Sequence, residues 1–208
     1  MTLRTRIETV FGGKAFLRPL FYAYPGGLRF ELSEGGSAIE QFLTALRKAT
    51  EVCKDVFGAD ETVVVCLRCR AGPTPFADRA LLRQLKAAGI KVPRTRCLWL
   101  DKVPAIDQID DDGPELWLNL AFEAPSSLLQ NFLWCAFASD FGAISPRLYC
   151  DVYLIGLQQG VLMFPYDDRG MDVVGPNHAA LARLYSKYGH YLLDYDRKAM
   201  DAAFSSYR

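Results

Sequence analysis

Three short strands joined by tight turns constrain the fold of this chain more than any other feature. Strand-forming residues occupy 148–155, 161–164 and 171–174, and residues 156–160 and 165–170 between them are rich in turn formers. Connections this short join antiparallel neighbours. The sequence therefore predicts a C-terminal three-stranded meander.

Helical and strand patterns alternate in the rest of the chain. The clearest is a long helix that ends at Gly58, because apolar residues keep helical spacing from 39 to 57 and Ser37 with Glu40 forms a capping box before it. Other helices are expected at 3–11, 75–88 and about 126–139, and strands at 28–32, 62–67, 96–100 and 115–122. Two helices should follow the meander, with Asn177 and Asp194 as their N-cap residues. These elements predict an α+β fold in which helices flank a mixed, largely antiparallel sheet.

Length and charge favour one domain with a polarised surface. A chain of 208 residues, half of them apolar, can bury a substantial core. Residues 1–100 contain 16 Lys+Arg and 9 Asp+Glu, a net charge of +7, whereas residues 101–208 contain 8 and 15, a net charge of −7. We expect 1–208 to form a single domain. If the chain divides, the boundary lies in the acidic stretch 101–114, where the charge reverses.

Several classes of function are disfavoured by composition and missing motifs. A net charge of zero makes nucleic acid an unlikely partner. Charges at Arg4, Arg6 and Glu8 interrupt the N-terminus, which excludes a signal-peptide core, and the apolar run 132–138 is too short to cross a bilayer. A cytoplasmic protein without a membrane partner is therefore expected. The chain has no P-loop, no dinucleotide fingerprint and no nucleophile elbow, so no cofactor is expected.

Cysteine and arginine residues in the first half suggest further roles. Most of the six cysteines are expected to be small buried residues, and Cys66 and Cys69 should point to opposite faces of a strand, which disfavours a metal site. Four arginines flank predicted strand ends, at 68, 70, 94 and 96. They either converge into a patch that binds a phosphate or an acidic partner, or stay solvated or internally paired.

Carboxylates concentrate in two segments of the C-terminal half. Asp167, Asp168 and Asp172 surround Arg169 in the second turn of the meander, where Arg169 can bond a carboxylate and Gly170 can adopt a positive φ. The second segment contains Asp194, Asp196 and Arg197.

Three interpretations of these carboxylates remain open. They form salt-bridged turns, they form a partner-recognition surface, or the five aspartates converge into an Mg²⁺ site or an acid–base pair. The neighbouring arginines would compete with a cation for the same oxygens, which disfavours the third interpretation.

The same segments carry a family resemblance. Residues 166–173 (YDDRGMDV), 181–185 (LARLY) and 190–197 (HYLLDYDR), followed by Asp201 and Phe204, resemble the C-terminal signature of the bacterial family Domain of Unknown Function 3885. The segments 28–32 and 45–57 also look like its members, although His190-Tyr191 departs from the usual pattern before Leu193-Asp194. The resemblance implies a fold and a bacterial cytosolic setting, and it implies no catalytic residue.

The leading hypothesis is a non-enzymatic protein-binding module, in the manner of an immunity protein that neutralises a basic toxin. In this hypothesis the acidic C-terminal half presents Asp167, Asp168, Asp172 and Asp196 to the partner. The alternative is a metal-dependent hydrolase that acts on a phosphate-containing substrate, with the same aspartates as ligands and Arg169 or Arg197 stabilising developing charge.

Overall fold

A computed structural model describes residues 1–58, 60–71, 77–104 and 115–205, and its central feature is one seven-stranded sheet. The strands are β1 (Leu28–Glu31), β2 (Thr62–Arg70), β3 (Cys97–Lys102), β4 (Leu116–Pro125), β5 (Asp151–Gly156), β6 (Val161–Asp167) and β7 (Gly170–Val174). Their order across the sheet is β1-β7-β6-β5-β2-β4-β3, and all six pairings are antiparallel. The α+β class and the meander β5-β6-β7 are confirmed, and no described pair is parallel, whereas the sequence left room for a mixed sheet.

Seven α-helices surround the sheet in the described part of the chain. They are α1 (Leu3–Phe11), α2 (Leu20–Ala23), α3 (Ala38–Phe57), α4 (Ala77–Ala87), α5 (Leu129–Phe137), α6 (His178–Lys187) and α7 (Arg197–Phe204). Short 3-10 turns lie at Ser126–Leu128, Ala138–Asp140, Gly189–Tyr191 and Asp194–Asp196. The sequence missed the four-residue helix α2, which is too short to show a periodic pattern.

The predicted helix caps are confirmed in two places and wrong in one. Ser37 and Glu40 form the capping box of α3, and the Asn177 side chain accepts a hydrogen bond from the N–H of Ala180 at the start of α6. Asp194 is not an N-cap: it is the first residue of a 3-10 turn, and the N-cap of α7 is Asp196, without a side-chain capping bond. The tighter turn replaces the cap because it uses i to i+3 backbone bonds to enter the helix.

The sheet is covered on both faces. Helices α3, α5, α6 and α7 contribute buried residues to the larger core on one face, whereas α1 packs on the other face around Trp99 and Tyr153. Strand β2 lies near the centre, so residues 63–67 are buried on both sides and read as a continuous apolar run.

A pairing between distant segments of the chain forms one edge of the sheet. Strand β1 pairs with β7, and this register places Arg29 opposite Asp172. At the other side, β3 and β4 are hydrogen-bonded neighbours. The acidic stretch predicted as a boundary, including Asp107 and Asp110–Asp112, lies mostly outside the described residues. No described helix is both long enough and apolar enough to cross a membrane.

Strands β5 and β6 separate before they end. They pair only from Leu154 opposite Met163 to Gly156 opposite Val161, although β5 begins at Asp151 and β6 continues to Asp167. Pro165 lies in the part of β6 that pairs with β7 but not with β5, and proline has no backbone N–H to donate to β5. The separation leaves a cleft at this end of the sheet, between strands that are paired elsewhere.

Candidate functional site

The aspartates singled out in the sequence separate into different environments. Asp172 on β7 and Asp196 before α7 meet at Arg29 on β1, which we call the Arg29 hub. The guanidinium donates from Nε to Oδ1 of Asp172 at 2.8 Å, from Nη2 to its Oδ2 at 3.1 Å, and from Nη1 to Oδ2 of Asp196 at 2.9 Å. The side chains of Asp172 and Asp196 are only 2% and 7% exposed. These two carboxylates therefore do not face a partner, which corrects the sequence-based expectation. The same holds for Asp168, which is also buried.

Helix α2 and the tyrosines around it complete the hub. The Arg29 guanidinium carbon lies 4.9 Å from the ring centre of Phe21, 5.1 Å from that of Tyr22 and 5.9 Å from that of Tyr166. The N–H of Phe21 donates to Asp172, and the Tyr22 hydroxyl donates to Oδ1 of Asp196 at 2.9 Å. Three rings and two carboxylates therefore surround the guanidinium, which is 13% exposed, and hold it in place.

Charge within the hub is stabilised from both sides. Burial alone lowers the pKa of Arg29, but the hydrogen bonds and charge of Asp172 outweigh it, so the pKa lies above the ordinary value and the guanidinium stays protonated. Burial raises the pKa of Asp172, and the bonds from Arg29 and from the N–H of Phe21 counter only part of that effect. Asp172 therefore depends on Arg29 to remain charged.

Asp167 and Arg169 form the turn between β6 and β7. Oδ1 of Asp167 accepts from the N–H groups of Arg169 and Gly170 at 2.9 and 3.0 Å, and its Oδ2 accepts from Nε and Nη2 of Arg169 at 3.0 and 2.6 Å. The predicted bond from Arg169 is confirmed. Gly170 does not adopt the positive φ that glycine could supply there. A Cβ at this position would overlap the hydroxyl of Tyr166, so a larger residue would require the tyrosine ring to move.

Two further carboxylates adjoin this turn, and nearby positive charge neutralises them only in part. Asp140, at the end of the 3-10 turn after α5, accepts the N–H of Asp168 at 3.3 Å. Burial raises the pKa of both carboxyls, and the charge of Asp167 raises them further, whereas Arg169 lowers them only in part. We call Asp140, Asp167, Asp168 and Arg169 the acidic turn.

The remaining two predicted residues belong to neither group. Asp194 is exposed, and Arg197 is ion-paired with Asp201 and donates to the carbonyl of Gly189. The five aspartates therefore do not converge on one point. Across the described ranges, no group of three or more His, Cys, Asp or Glu side chains is arranged to hold a metal ion. The hydrolase alternative thus finds no metal site among these residues.

Exposed tyrosines and a groove surround the hub. Tyr166 is 39% exposed, Tyr22 58% and Tyr195, next to Asp196 in sequence, 85%. A groove of about 800 Å³ beside Tyr166 is lined by Glu31, Asp167 and Arg169 among others. We call Tyr22, Tyr166, Tyr195, Glu31 and Asp167 the tyrosine–acidic surface.

The predicted arginine patch forms in part. Arg68 and Arg70, at the end of β2, lie over the ring of Trp117 at 4.9 and 4.6 Å, and Arg18 lies over the same ring at 5.6 Å. Arg94 and Arg96 do not join them: both are exposed, and Arg96 donates to the carbonyl of Pro93. They precede β3, whereas Arg68 and Arg70 end β2, so the two pairs lie at different ends of their strands.

Cys66 and Cys69 are also separated. Cys66 packs in the smaller core, where burial raises its thiol pKa, and Cys69 contacts the carbonyl of Leu118. Cys53, Cys66 and Cys135 are buried, whereas Cys69, Cys97 and Cys150 are half-buried, so the expected burial holds for three of the six cysteines.

Together, these features define an α+β protein with one antiparallel sheet, a buried ionic hub and polar surfaces at the end of the meander. The chain belongs to the family described as Domain of unknown function (DUF3885), whose sequence profile matches residues 3–196. The match confirms the resemblance in the C-terminal signature and extends it over nearly the whole chain. Searches of the curated proteins and of the solved structures gave no match.

Sequence reasoning missed three residues that build these sites. Arg29 and Tyr22 hold Asp172 and Asp196 in place, and Asp140 joins the acidic turn. The one available signal was the position of Arg29 between two apolar residues of a strand, since a polar residue there must face either solvent or a buried partner.

Proposed function

We propose that this protein is a non-enzymatic binding module and that its partner is a protein with a basic surface. The observation that carries this proposal is the tyrosine–acidic surface, in which the exposed rings of Tyr22 and Tyr166 lie against Arg29 and Tyr166 borders the groove that Asp167 lines.

The tyrosines favour a protein partner because of their exposure and their rigidity. Tyrosine is enriched at protein interfaces, where it contributes a large contact area for few lost side-chain rotations. Tyr22 and Tyr166 stand against the guanidinium of Arg29, and the hydroxyl of Tyr22 is bonded to Asp196. Because these two side chains are already ordered, they lose less conformational entropy when a partner binds.

The acidic turn favours a basic partner. Burial and neighbouring negative charge raise the pKa values of Asp140 and Asp168, and Arg169 offsets this only in part. Asp168 is buried, whereas Asp140 is exposed, so a lysine or arginine side chain from a partner would contact Asp140, lower its pKa and accelerate association at low salt.

Asp172 and Asp196 enter this proposal as positioning residues beneath the surface, whereas Asp167 and Glu31 are available to contact the partner. Asp167 already bonds Arg169, whose side chain is 77% exposed. A cation from the partner would therefore bind Asp167 beside Arg169 or displace it. An immunity-like role, in which the basic partner is a toxin, is the narrower form of the same proposal.

The test is capture of a partner from lysate of the source cells on immobilised protein, at low and at increasing salt, followed by mass spectrometry. Glu31→Lys and Tyr195→Ala each change an exposed residue of the surface. Glu123→Lys is the matched control, because Glu123 is also an exposed strand glutamate and is 50% exposed beside Arg6, away from this surface. We expect a basic protein that wild type and Glu123→Lys retain and that both surface variants lose.

The retained protein is then purified and its Kd measured by titration calorimetry. A Kd that weakens at least tenfold in Glu31→Lys and stays unchanged in Glu123→Lys supports the proposal. Equal binding to all four proteins, or a captured protein with an acidic surface, would contradict it.

A further inference from the structure

The cleft between β5 and β6 contains a buried guanidinium, that of Arg68, with which no described carboxylate forms an ion pair. This β5–β6 cleft has a volume of about 290 Å³ and is lined by Arg68, Trp117, Cys150, Asp151 and Tyr166 among others. It lies where the two strands have parted, so backbone pairing does not fill it.

Arg68 is the unusual group in this cleft. Its side chain ends between two rings, with the guanidinium carbon 5.4 Å from the centre of Phe16 and 4.9 Å from that of Trp117, and the residue is only 6% exposed. Nη1 donates to the carbonyl of Phe16 at 2.9 Å, while Nε is buried without a hydrogen-bond partner. Within 1–58, 60–71, 77–104 and 115–205, no carboxylate forms an ion pair with Arg68.

The absence of a counterion is notable because other arginines nearby have one. Arg18 is paired with Asp151 and Arg70 with Glu115, and both stand over the same Trp117 ring. Asp151 lies directly opposite Arg68 in the β2–β5 register, yet it is bonded to Arg18. Of the three arginines over the Trp117 ring, two therefore have a carboxylate partner and Arg68 has none among the described residues.

A buried guanidinium without an anion is costly, and burial accordingly lowers the pKa of Arg68. A bound anion would remove that cost. The guanidinium group presents a planar set of N–H donors that matches the oxygens of carboxylate and phosphate. The cleft is at the small end of the range for small-molecule sites and is too small for a macromolecular segment.

We infer that the β5–β6 cleft binds the oxyanionic group of a small ligand, with Arg68 as its charged contact. Carboxylate and phosphate share this chemistry. Arg68 is one guanidinium without an ion pair among the described residues, which favours a single anionic group, and Trp117 provides an apolar wall beside it. This site is separate from the proposed partner surface, although Tyr166 borders both.

Thermal unfolding tests the inference with inorganic phosphate and with acetate as probes, each against sodium chloride at the same ionic strength. A ligand that binds only the folded state raises the Tm with its concentration. We expect at least one probe to raise the Tm of wild type above the chloride control. Which probe acts distinguishes a phosphate site from a carboxylate site, and no excess shift with either would overturn the inference.

Variants test whether the excess Tm shift depends on Arg68. In Arg68→Gln the excess shift should disappear, whereas Arg96→Gln, which changes an exposed arginine outside the cleft, should retain it. Glu31→Lys should also retain it, so failure of the partner proposal and failure of this one are distinguishable. A full shift in Arg68→Gln would contradict the assignment.

A second measurement uses the wild-type protein and stands even if Arg68→Gln does not fold. Cys69 and Cys150 line the cleft, and Cys97 lies outside it with a similar half-buried exposure. The hydrogen bond with Cys69 and burial raise the pKa of Cys150, so thiol labelling is followed at alkaline pH by mass spectrometry. The active probe should slow labelling of Cys69 and Cys150 at least twofold relative to Cys97. Equal rates with and without the probe would place any bound anion elsewhere and overturn the inference.

Discussion

Replacing Arg29 with methionine should destabilise the protein severely, because two buried carboxylates lose the cation they share. The side chains of Asp172 and Asp196 are 2% and 7% exposed, and Arg29 is 13% exposed. Removing one partner of a buried ion pair costs about 3–5 kcal/mol, and methionine retains much of the aliphatic packing. For a chain of this length, about 2–4 °C of Tm corresponds to each kcal/mol. We therefore expect Tm to fall by about 6–20 °C in a thermal melt followed by circular dichroism.

A double-mutant cycle and a pH series separate loss of charge compensation from loss of packing. Asp172→Asn removes the charge that needs compensation, so Arg29→Met should cost less in that background, with a coupling energy of at least about 1 kcal/mol in urea unfolding. Without Arg29 the folded-state pKa of Asp172 rises further above its unfolded value of about 3.9. The variant should therefore regain stability as pH falls through that folded-state pKa, because the folded state then binds the proton more tightly. A cost below about 1 kcal/mol, or strictly additive substitutions, would refute the reasoning.

Two predictions concern the acidic turn and its neighbour. Burial and the charge of Asp167 raise the pKa of Asp168, so its charged form destabilises the fold at pH 7 and the penalty falls as pH drops through the folded-state pKa. Asp168→Asn should raise Tm at pH 7, with a gain in the free energy of unfolding of roughly 0.5–2 kcal/mol, the range of single stabilising changes. The gain should vanish near about pH 4, where the carboxyl of the unfolded chain is also protonated. A lower Tm at pH 7 would show that the carboxylate is needed structurally. Gly170→Ala should cost about 1–3 kcal/mol in urea unfolding, because its Cβ overlaps the Tyr166 hydroxyl. Most of that cost should disappear in a Tyr166→Ala background, and an equal cost there would contradict the steric explanation.

Local elements of the fold were predictable because their signals lie within a few residues. The capping box of Ser37 and Glu40, the length of α3 and the meander β5-β6-β7 all follow from spacing and turn chemistry along a short stretch. The predicted start of the helix that follows Asp194 was less accurate, because a 3-10 turn and an N-cap produce similar sequence patterns.

The candidate sites were predictable only in part. The carboxylates of the β6–β7 turn and the bond between Asp167 and Arg169 are local and were anticipated. The expectation that Asp172 and Asp196 face a partner was wrong, because their common partner Arg29 lies 143 and 167 residues away in sequence. Residue type alone does not reveal whether a carboxylate is exposed or buried against a cation.

The sequence by itself determined the helices, the strands, the antiparallel meander and the family to which the chain belongs, because periodicity, caps and turn residues act over short distances. Only the tertiary structure decided that β1 joins β7, that Arg29 neutralises two aspartates, and that β5 and β6 part to leave Arg68 without a counterion among the described residues. Strand partners and buried charge pairs depend on which distant segments meet, and that choice is made by the packing of the whole core rather than by local preference.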